Sequence, residues 1–574
     1  MSRHFRRLGA CCAALLALTC IAIDAHAEPL RPAPSLKARG EFTDRIIVRL
    51  KDEPTDVAGA EKRQPMAATR ARALSGAAGT LLIPVRPTGD AAQVVRLTHA
   101  LPLDQVQKIA DKLAREPNVA YAEPDRRKYA QRIPTDPAFS RQWYLSEAIG
   151  GINAPSAWDV TTGSAAVVVA VIDGGVIFEN PDLQGRLLPG YDFIGSDDGN
   201  AVDRSGVDLG TVFRTANDGN GRDPDPSDPG DWISAAEAGA VFADCPKPED
   251  STWHGTHVTG IIAASANNGF GIAGVDWNTR VLPVRVLGKC GGYTSDILDG
   301  ARWAAGISVP GVPGNRTPAQ VINFSLGGPG KCSNSEQAAI DQILATGGVR
   351  AVVTSAGNEA ADASNNSPGN CSGVINVGAT DRSGNRASYS DFGPFITISA
   401  PGGFIGPPSA TEKGENAIIS LVNCGLTVPI FSAVNCPDPA DSTRAGSPHI
   451  LAFFSGTSVA APLVTGTVSL MLAANPSLNA TDVRNILTAS ARSFPLGGNC
   501  GNFQCGAGIV DANAAVRQAA ARPGGINNAP PPSNGGGGGG GGGCTMSSGA
   551  ADSSLSLLMV LALLGLAWRR RNPG

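Results

Sequence analysis

The chain is poor in aromatic residues. Phe, Trp and Tyr make up only 5% of its 574 positions. Glycine is plentiful instead, with 71 residues, which implies a turn-rich protein of closely packed small residues. An excess of either charge is also lacking. Lys and Arg number 46 against 50 Asp and Glu, for a formal net charge of −4. That balance excludes the basic footprint of a nucleic-acid-binding protein. The eight cysteines between 245 and 505 contain no C-x-x-C, the spacing on which most structural zinc sites are built. The apolar run near the C-terminus, Leu555 to Trp568, has 14 residues, short of the ~20 that a full membrane span needs.

What is present bounds the class. The length is too great for one ordinary domain, and 42% hydrophobic residues suffice for a large core. The first 27 residues have the parts of an export signal: basic MSRHFRR, apolar LGACCAALLALTCIAI and a final A-x-A. Cleavage is expected after Ala27, which implies an oxidising compartment. Cys11, Cys12 and Cys20 lie in that segment and Cys544 stands alone in the tail. The remaining even set could pair in many ways. Closing the shorter loops gives Cys245–Cys290, Cys332–Cys371, Cys424–Cys436 and Cys500–Cys505.

Residues 28–130 read as a small α+β module. RIIVRL and QVVRL are strand-like. LPLDQVQKIADKLAREP places Val106, Ile109, Ala110 and Leu113 on one helical face. NVAYAEPD follows as a strand ending at Pro124. The intervening AEKRQPMAATRARALSGAAG reads as mobile. Over 131–522 the pattern changes. AAVVVAVID, RVLPVRVL, AQVINFSLGG and VRAVVTSAGN are apolar runs that end in polar or glycine residues. HVTGIIAASA, TSDILDGARWAAG and SEQAAIDQILATG lie between them as helices. This predicts an α/β domain, a mostly parallel sheet with helices on both faces. Residues 523–544 are a Pro/Gly-rich linker, and 545–574 hold the apolar run and an arginine cluster.

Three polar residues stand at the ends of these elements. Asp173 closes VVVAVID, His254 opens HGTHVTG, and Ser458 lies in FFSGTSVAAP, where a helix begins. Each could be an ordinary cap or turn residue. Together they complement one another. A serine hydroxyl needs a base to take its proton. Imidazole, with an ordinary pKa of about 6.5, is suited to that task. A carboxylate fixes its tautomer and stabilises its cation. Gly255 and Gly456 permit close approach beside His254 and Ser458. Asn358, in VVTSAGNEA, could donate to the oxyanion of acyl transfer together with the Ser458 N–H.

The order Asp, His, Ser, with VIDGGV, HGTHV, VINFSLGG, SAGNE and SGTSVAAP, resembles the subtilisin-like serine proteases, the subtilases. The resemblance spans roughly 140 to 520. It implies a triad of Asp173, His254 and Ser458, with Asn358 as oxyanion donor. It makes Ser325, Leu326, Gly327 and Gly328 the extended segment that pairs with substrate backbone, with Gly292 on the opposite rim. It implies a secreted, monomeric endopeptidase acting on protein or peptide substrates. The alternative is an inactive surface-binding or adhesion protein on the same scaffold. By the same resemblance, the ferredoxin-like N-terminal module is an inhibitory propeptide that chaperones folding and is then removed. The C-terminal tail resembles bacterial sorting tails, transiently or permanently membrane-associated.

Two features depart from compact family members. Asp173 and His254 are 81 positions apart. The extra segment carries Asp218, Asp223, Asp225, Asp228 and Asp231, a set of hard oxygen ligands that could hold calcium without EF-hand spacing. A second calcium site is implied by resemblance at Asp182 and Asn268. The other insertion, about 403–450, contains Cys424 and Cys436 and is expected to border the substrate cleft.

Overall fold

A computed structural model of the chain describes residues 42–52, 65–126, 132–197, 213–405, 414–432, 436, 447–501 and 504–526. The expected signal peptide, the hydrophobic tail and all but the start of the linker lie outside the described residues.

The N-terminal module runs β1 (Phe42–Leu50), α1 (Ala68–Ala78), β2 (Ile83–Pro87), β3 (Gln93–Pro102), α2 (Leu103–Ala114) and β4 (Val119–Pro124). Its sheet has the order β2-β3-β1-β4 with every pair antiparallel. This βαββαβ path is the ferredoxin-like topology. Ile46, Val48, Val95 and Leu97 from the sheet meet Val106, Ala110 and Leu113 from α2 in one core. Two elements differ from the sequence reading. The stretch read as mobile contains α1, whose buried face is Ala71, Leu74 and Ala78. Alanines carry too little hydrophobic contrast to announce a helix. β2 contains Pro84 and Pro87, which argue against a strand except at a sheet edge, and an edge is where it lies.

The larger domain is built on seven strands: β5 (Val168–Asp173), β6 (Tyr191–Asp192), β7 (Arg280–Arg285), β8 (Val321–Phe324), β9 (Ala351–Ser355), β10 (Ile375–Thr380) and β11 (Ile398–Pro401). Their order is β11-β10-β9-β8-β5-β7-β6, and every pairing is parallel. Successive side chains point to opposite faces. On one face Val169, Val171, Val281, Val321 and Val353 pack with α3 (His254–Ala263) and the helix Thr457–Ala474. On the other, Ala170, Ile172, Leu282, Val284, Ile322 and Val352 meet α4 (Thr294–Ala304) and α5 (Asn334–Ala345). Both faces are therefore covered, as the near-continuous apolar strands require. An antiparallel hairpin, β12 (Ile418–Asn423) with β13 (His449–Phe454), leads into α6 (Thr457–Ala474).

Among the described helices, α6 alone has the length and composition to cross a membrane, but 89% of it is buried. Its apolarity is that of a core helix.

Among the described residues, four disulfides join Cys245–Cys290, Cys332–Cys371, Cys424–Cys436 and Cys500–Cys505, the pairs obtained by closing the shorter loops. Cys332 and Cys371 also lie near Glu336. Their sulfurs are spent on each other and Glu336 forms the capping box of α5 with Ser333, so this trio is a staple beside a helix cap.

Candidate active site

Parallel strands all present their carboxyl ends to one side, and that is where the polar residues gather. Asp173 is the last residue of β5 and His254 the first of α3. Ser325 follows β8 directly, and Asn358 lies three residues past the end of β9. Ser458 is the second residue of α6. All five line a single cavity of about 1100 Å³. Leu326, Gly327, Gly328 and Gly292 line it too.

His254 Nδ1 lies 2.9 and 3.0 Å from the two carboxylate oxygens of Asp173. Asp173 is 1% exposed and the imidazole 24%. The other ring nitrogen is thus left for the cleft. Burial by itself would lower the pKa of His254. The charge and hydrogen bond of Asp173, joined by the charges of Asp231 and Asp228, outweigh it and hold the group above its ordinary 6.5. Gly255 lets the helix start close to this pair, since a Cβ there would meet Gly175 O at 2.1 Å and Asp173 Oδ1 at 3.2 Å.

The nucleophile side is equally specific. The Asn358 side-chain oxygen accepts from Thr457 N at 2.8 Å and Thr457 Oγ1 at 3.0 Å. Its amide nitrogen is thereby turned toward Ser458. Gly456 has no need of glycine for conformation, because its backbone is extended. It needs space. A Cβ at Gly456 would lie 3.1 Å from Ser458 Oγ, 3.5 Å from Asn358 Nδ2 and 3.6 Å from Ser458 N. The volume above that α-carbon faces a hydroxyl and two N–H donors, the requirement for an oxyanion.

Sequence reasoning did not identify Thr457 as the residue that orients Asn358. It also missed a buried polar chain beneath the nucleophile. Thr465 Oγ1 donates to Asn323 at 2.7 Å, Asn323 Nδ2 to Ser325 Oγ at 2.9 Å, and Ser325 Oγ to Ser458 O at 2.7 Å. Ser325 is only 4% exposed, so its hydroxyl braces the start of α6. A polar Asn in the apolar run VINF was the one available signal.

The acidic insertion does not gather its carboxylates. Asp218 pairs with the buried Arg285 at 2.7 Å. Asp223 and Asp225 accept from the backbone N–H groups of Asp225 and Ser227. Asp228 accepts from Gly230 N at 2.9 Å. Asp231 holds Thr252 N and Oγ1, both at 2.7 Å. Among the described residues, no three of these carboxylates converge closely enough to hold one ion. The calcium expected at Asp218, Asp223, Asp225 and Asp228 finds no common ligand sphere, because each group serves its own turn or partner. Asp182 and Asn268 are together: Asp182 Oδ1 accepts from the Asn268 amide at 2.7 Å, and Oδ2 from Ile272 N at 2.9 Å. Asp182 is fully buried. A half-turn of the Asn268 amide would set its oxygen beside that carboxylate, a hard-oxygen pair suited to calcium, at the cost of the bond that oxygen accepts from Phe270 N at 2.8 Å.

Asp228 lines the cavity and is 5% exposed. Burial, then the neighbouring Asp231 charge, pushes its carboxyl up from 3.8 to about 7. A pKa raised on folding means that the folded state holds the proton longer. Stability is therefore lost as pH climbs through that interval and stays lost above it. Asp228→Asn, made in an Ser458→Ala background to prevent self-digestion, should raise the thermal midpoint above pH ~7 by several degrees and leave it unchanged below pH ~4. Calorimetry across pH checks this; a gain of equal size at acid pH would refute it.

A family model described as the subtilase family matches residues 164–508. The chain is a subtilisin-like serine endopeptidase of that family. The subtilase is 39% identical over 485 residues to an extracellular protease of Xanthomonas campestris pv. campestris, covering 84% of this chain and 74% of that protein. It is 36% identical over 492 residues to an extracellular basic protease of Dichelobacter nodosus, covering 84% and 72%. Among solved structures, a protease of Pseudoalteromonas arctica is 42% identical with a TM-score of 0.57, covering 68% of the subtilase and all of that chain.

Proposed function

We propose that the subtilase is a secreted, self-processed endopeptidase in which Ser458 attacks the scissile carbonyl. The Ser458 proton passes to the free ring nitrogen of His254, whose Nδ1–H is held by Asp173. The carbonyl oxygen becomes an oxyanion in the space beside Gly456, bound by Asn358 Nδ2 and Ser458 N–H. Collapse of the tetrahedral adduct breaks the C–N bond, and His254 returns the proton to the leaving amine. Water, deprotonated by the same imidazole, then attacks the ester, and the imidazolium returns the proton to Ser458 Oγ as the acyl group leaves as a carboxylic acid. The observation that carries this reading is the Asp173–His254 pair opening on the same cavity as Ser458 and Asn358. The direct test is digestion of denatured casein by the wild type and by Ser458→Ala.

The raised pKa of His254 sets the pH dependence. The base is active when neutral, so kcat/KM should climb as pH rises through a value above 6.5.

Export is supported by the signal-like N-terminus and by relatives named extracellular. The ferredoxin-like module, residues 28–130, is read as the inhibitory propeptide, cut within 125–135. The C-terminal tail is read as a sorting or membrane-associated segment. Calcium is read as a structural ion at Asp182, with Asn268 as neighbour, and it takes no part in the chemistry. An ion bound only to the folded state stabilises it in proportion to its occupancy. Excess chelator should lower the thermal midpoint, by about 4 kcal/mol of stability if free calcium stood a thousandfold above its Kd. An unmoved midpoint would reject the site.

A further inference from the structure

Trp253, the residue before His254, is left-handed, with φ 54° and ψ 33°. An aromatic residue rarely adopts that conformation, which is strained unless its surroundings impose it. Trp253 is also the N-cap of α3 and makes no side-chain capping bond. The direction in which His254 leaves the turn therefore depends on what holds the turn from outside.

Two braces do so, one from each of the two segments read from the sequence as insertions. From the acidic insertion, the Asp231 carboxylate accepts both Thr252 N–H and Thr252 Oγ–H at 2.7 Å. From the 403–450 insertion, the carbonyl of Gly425 accepts the Trp253 indole N–H at 2.9 Å. The indole is 2% exposed and packs on Ile177 and Val422. The 403–450 insertion also holds Ser251, whose N–H donates to Leu426 O at 2.8 Å. The acidic insertion is stitched to the other triad segment as well: Val176 N donates to Pro226 O, and Asp228 N to Val176 O, each at 3.2 Å.

We propose that Asp231 and Trp253 are positioning residues for His254: the Asp231 carboxylate and the Gly425 carbonyl grip the left-handed turn from two sides, and so the two insertions aim the imidazole at Ser458. The inference rests on His254 as the general base. Neither residue touches the reacting atoms; each acts through the turn. Among the described residues, the charged and titratable groups around the imidazole are Asp173 from β5, Asp228 and Asp231 from the insertion, and His257 one turn along α3. His257 is buried and stacked on Phe454 with ring centroids 4.0 Å apart. Burial, then the His254 charge, pushes it down to about 3, so it stays neutral while His254 titrates. Asp231 thus has two effects on His254, aim and charge, whereas Trp253 has only the first.

That difference makes the test. Kinetics of a peptide p-nitroanilide are followed against pH, with active molecules counted by stoichiometric sulfonylation of Ser458. Asp231→Asn should move the acid limb of kcat/KM to lower pH by several tenths of a unit, because a negative charge beside the imidazolium is lost. Its removal also eases ionisation of Asp228, so Asp228→Asn/Asp231→Asn should move the limb further. Asp231→Glu, which restores the charge, should return it. Trp253→Phe keeps an aromatic ring but loses the N–H together with the pyrrole half of the buried indole. It should leave the limb in place and lower kcat about 10- to 100-fold with KM within about twofold, as expected when a catalytic group is misaimed. A limb unmoved in both asparagine variants, or wild-type kcat in Trp253→Phe, overturns the proposal. Should Asp231→Asn not fold, Thr252→Val removes one of its two bonds, and a wild-type kcat there counts equally against the grip. Activity retained in Ser458→Ala would instead defeat the reading of the site itself.

Discussion

Ser458→Ala should lose on the order of a millionfold in kcat on any peptide substrate, the scale measured when a subtilisin triad serine is removed. The reason is chemical. Alanine has no oxygen to form the acyl intermediate, so the reaction falls back on water oriented by whatever remains. What remains is not negligible. The oxyanion donors and the cleft survive, and such remnants still accelerate hydrolysis about 10³- to 10⁴-fold over water. The fold should be untouched, because Gly456 and Thr457, not Ser458, make the tight contacts at the start of α6. Calorimetry should therefore give a wild-type melting transition while casein remains intact. A second consequence separates self-processing from help by another protease. If the molecule cuts its own N-terminal module, Ser458→Ala should accumulate with residues 28 to about 130 attached. Mass spectrometry of the secreted protein decides; normal removal in that variant would end the self-processing reading.

Asn358→Ala should be the next most damaging change, about 100- to 1,000-fold in kcat with KM nearly unchanged. The donor is aimed at charge that exists only in the transition state, so losing it leaves substrate binding alone. The structure adds a control. Thr457 fixes the amide through its N–H and its hydroxyl. Removing the hydroxyl in Thr457→Val leaves the N–H bond, so the loss there should be much smaller than in Asn358→Ala. Asn358 is exposed and Thr457 buried, so a folding defect should appear first at 457. If Asn358→Ala raised KM and spared kcat, the residue would be a substrate contact and the oxyanion site would lie elsewhere.

Legibility followed the physics of each element. The parallel strands could be read because burial on both faces leaves near-continuous Val/Ile runs. Asp173, His254 and Ser458 could be read because each stands where such a run stops or a helix begins. Helix α1 could not be read, since its buried face is built from alanine and one leucine. The acidic insertion misled for a related reason. Spacing shows that five carboxylates are near in sequence, but not that Asp218 would reach Arg285, or Asp231 reach Thr252.

By itself the amino-acid sequence determined the chemical inventory: which side chains could serve as nucleophile, base and orienter, and which periodicities would build a two-faced parallel sheet. These are local properties, carried by residue type and by the order of apolar and polar positions. Only the tertiary structure decided direction. It turned the Asn358 amide nitrogen outward by occupying its oxygen, left space above Gly456, dispersed the acidic loop among separate partners, and held Trp253 in a conformation it would not choose. Each of these is set by contacts between residues far apart in the chain, and hydrogen-bond geometry at such distances has no counterpart in local sequence pattern.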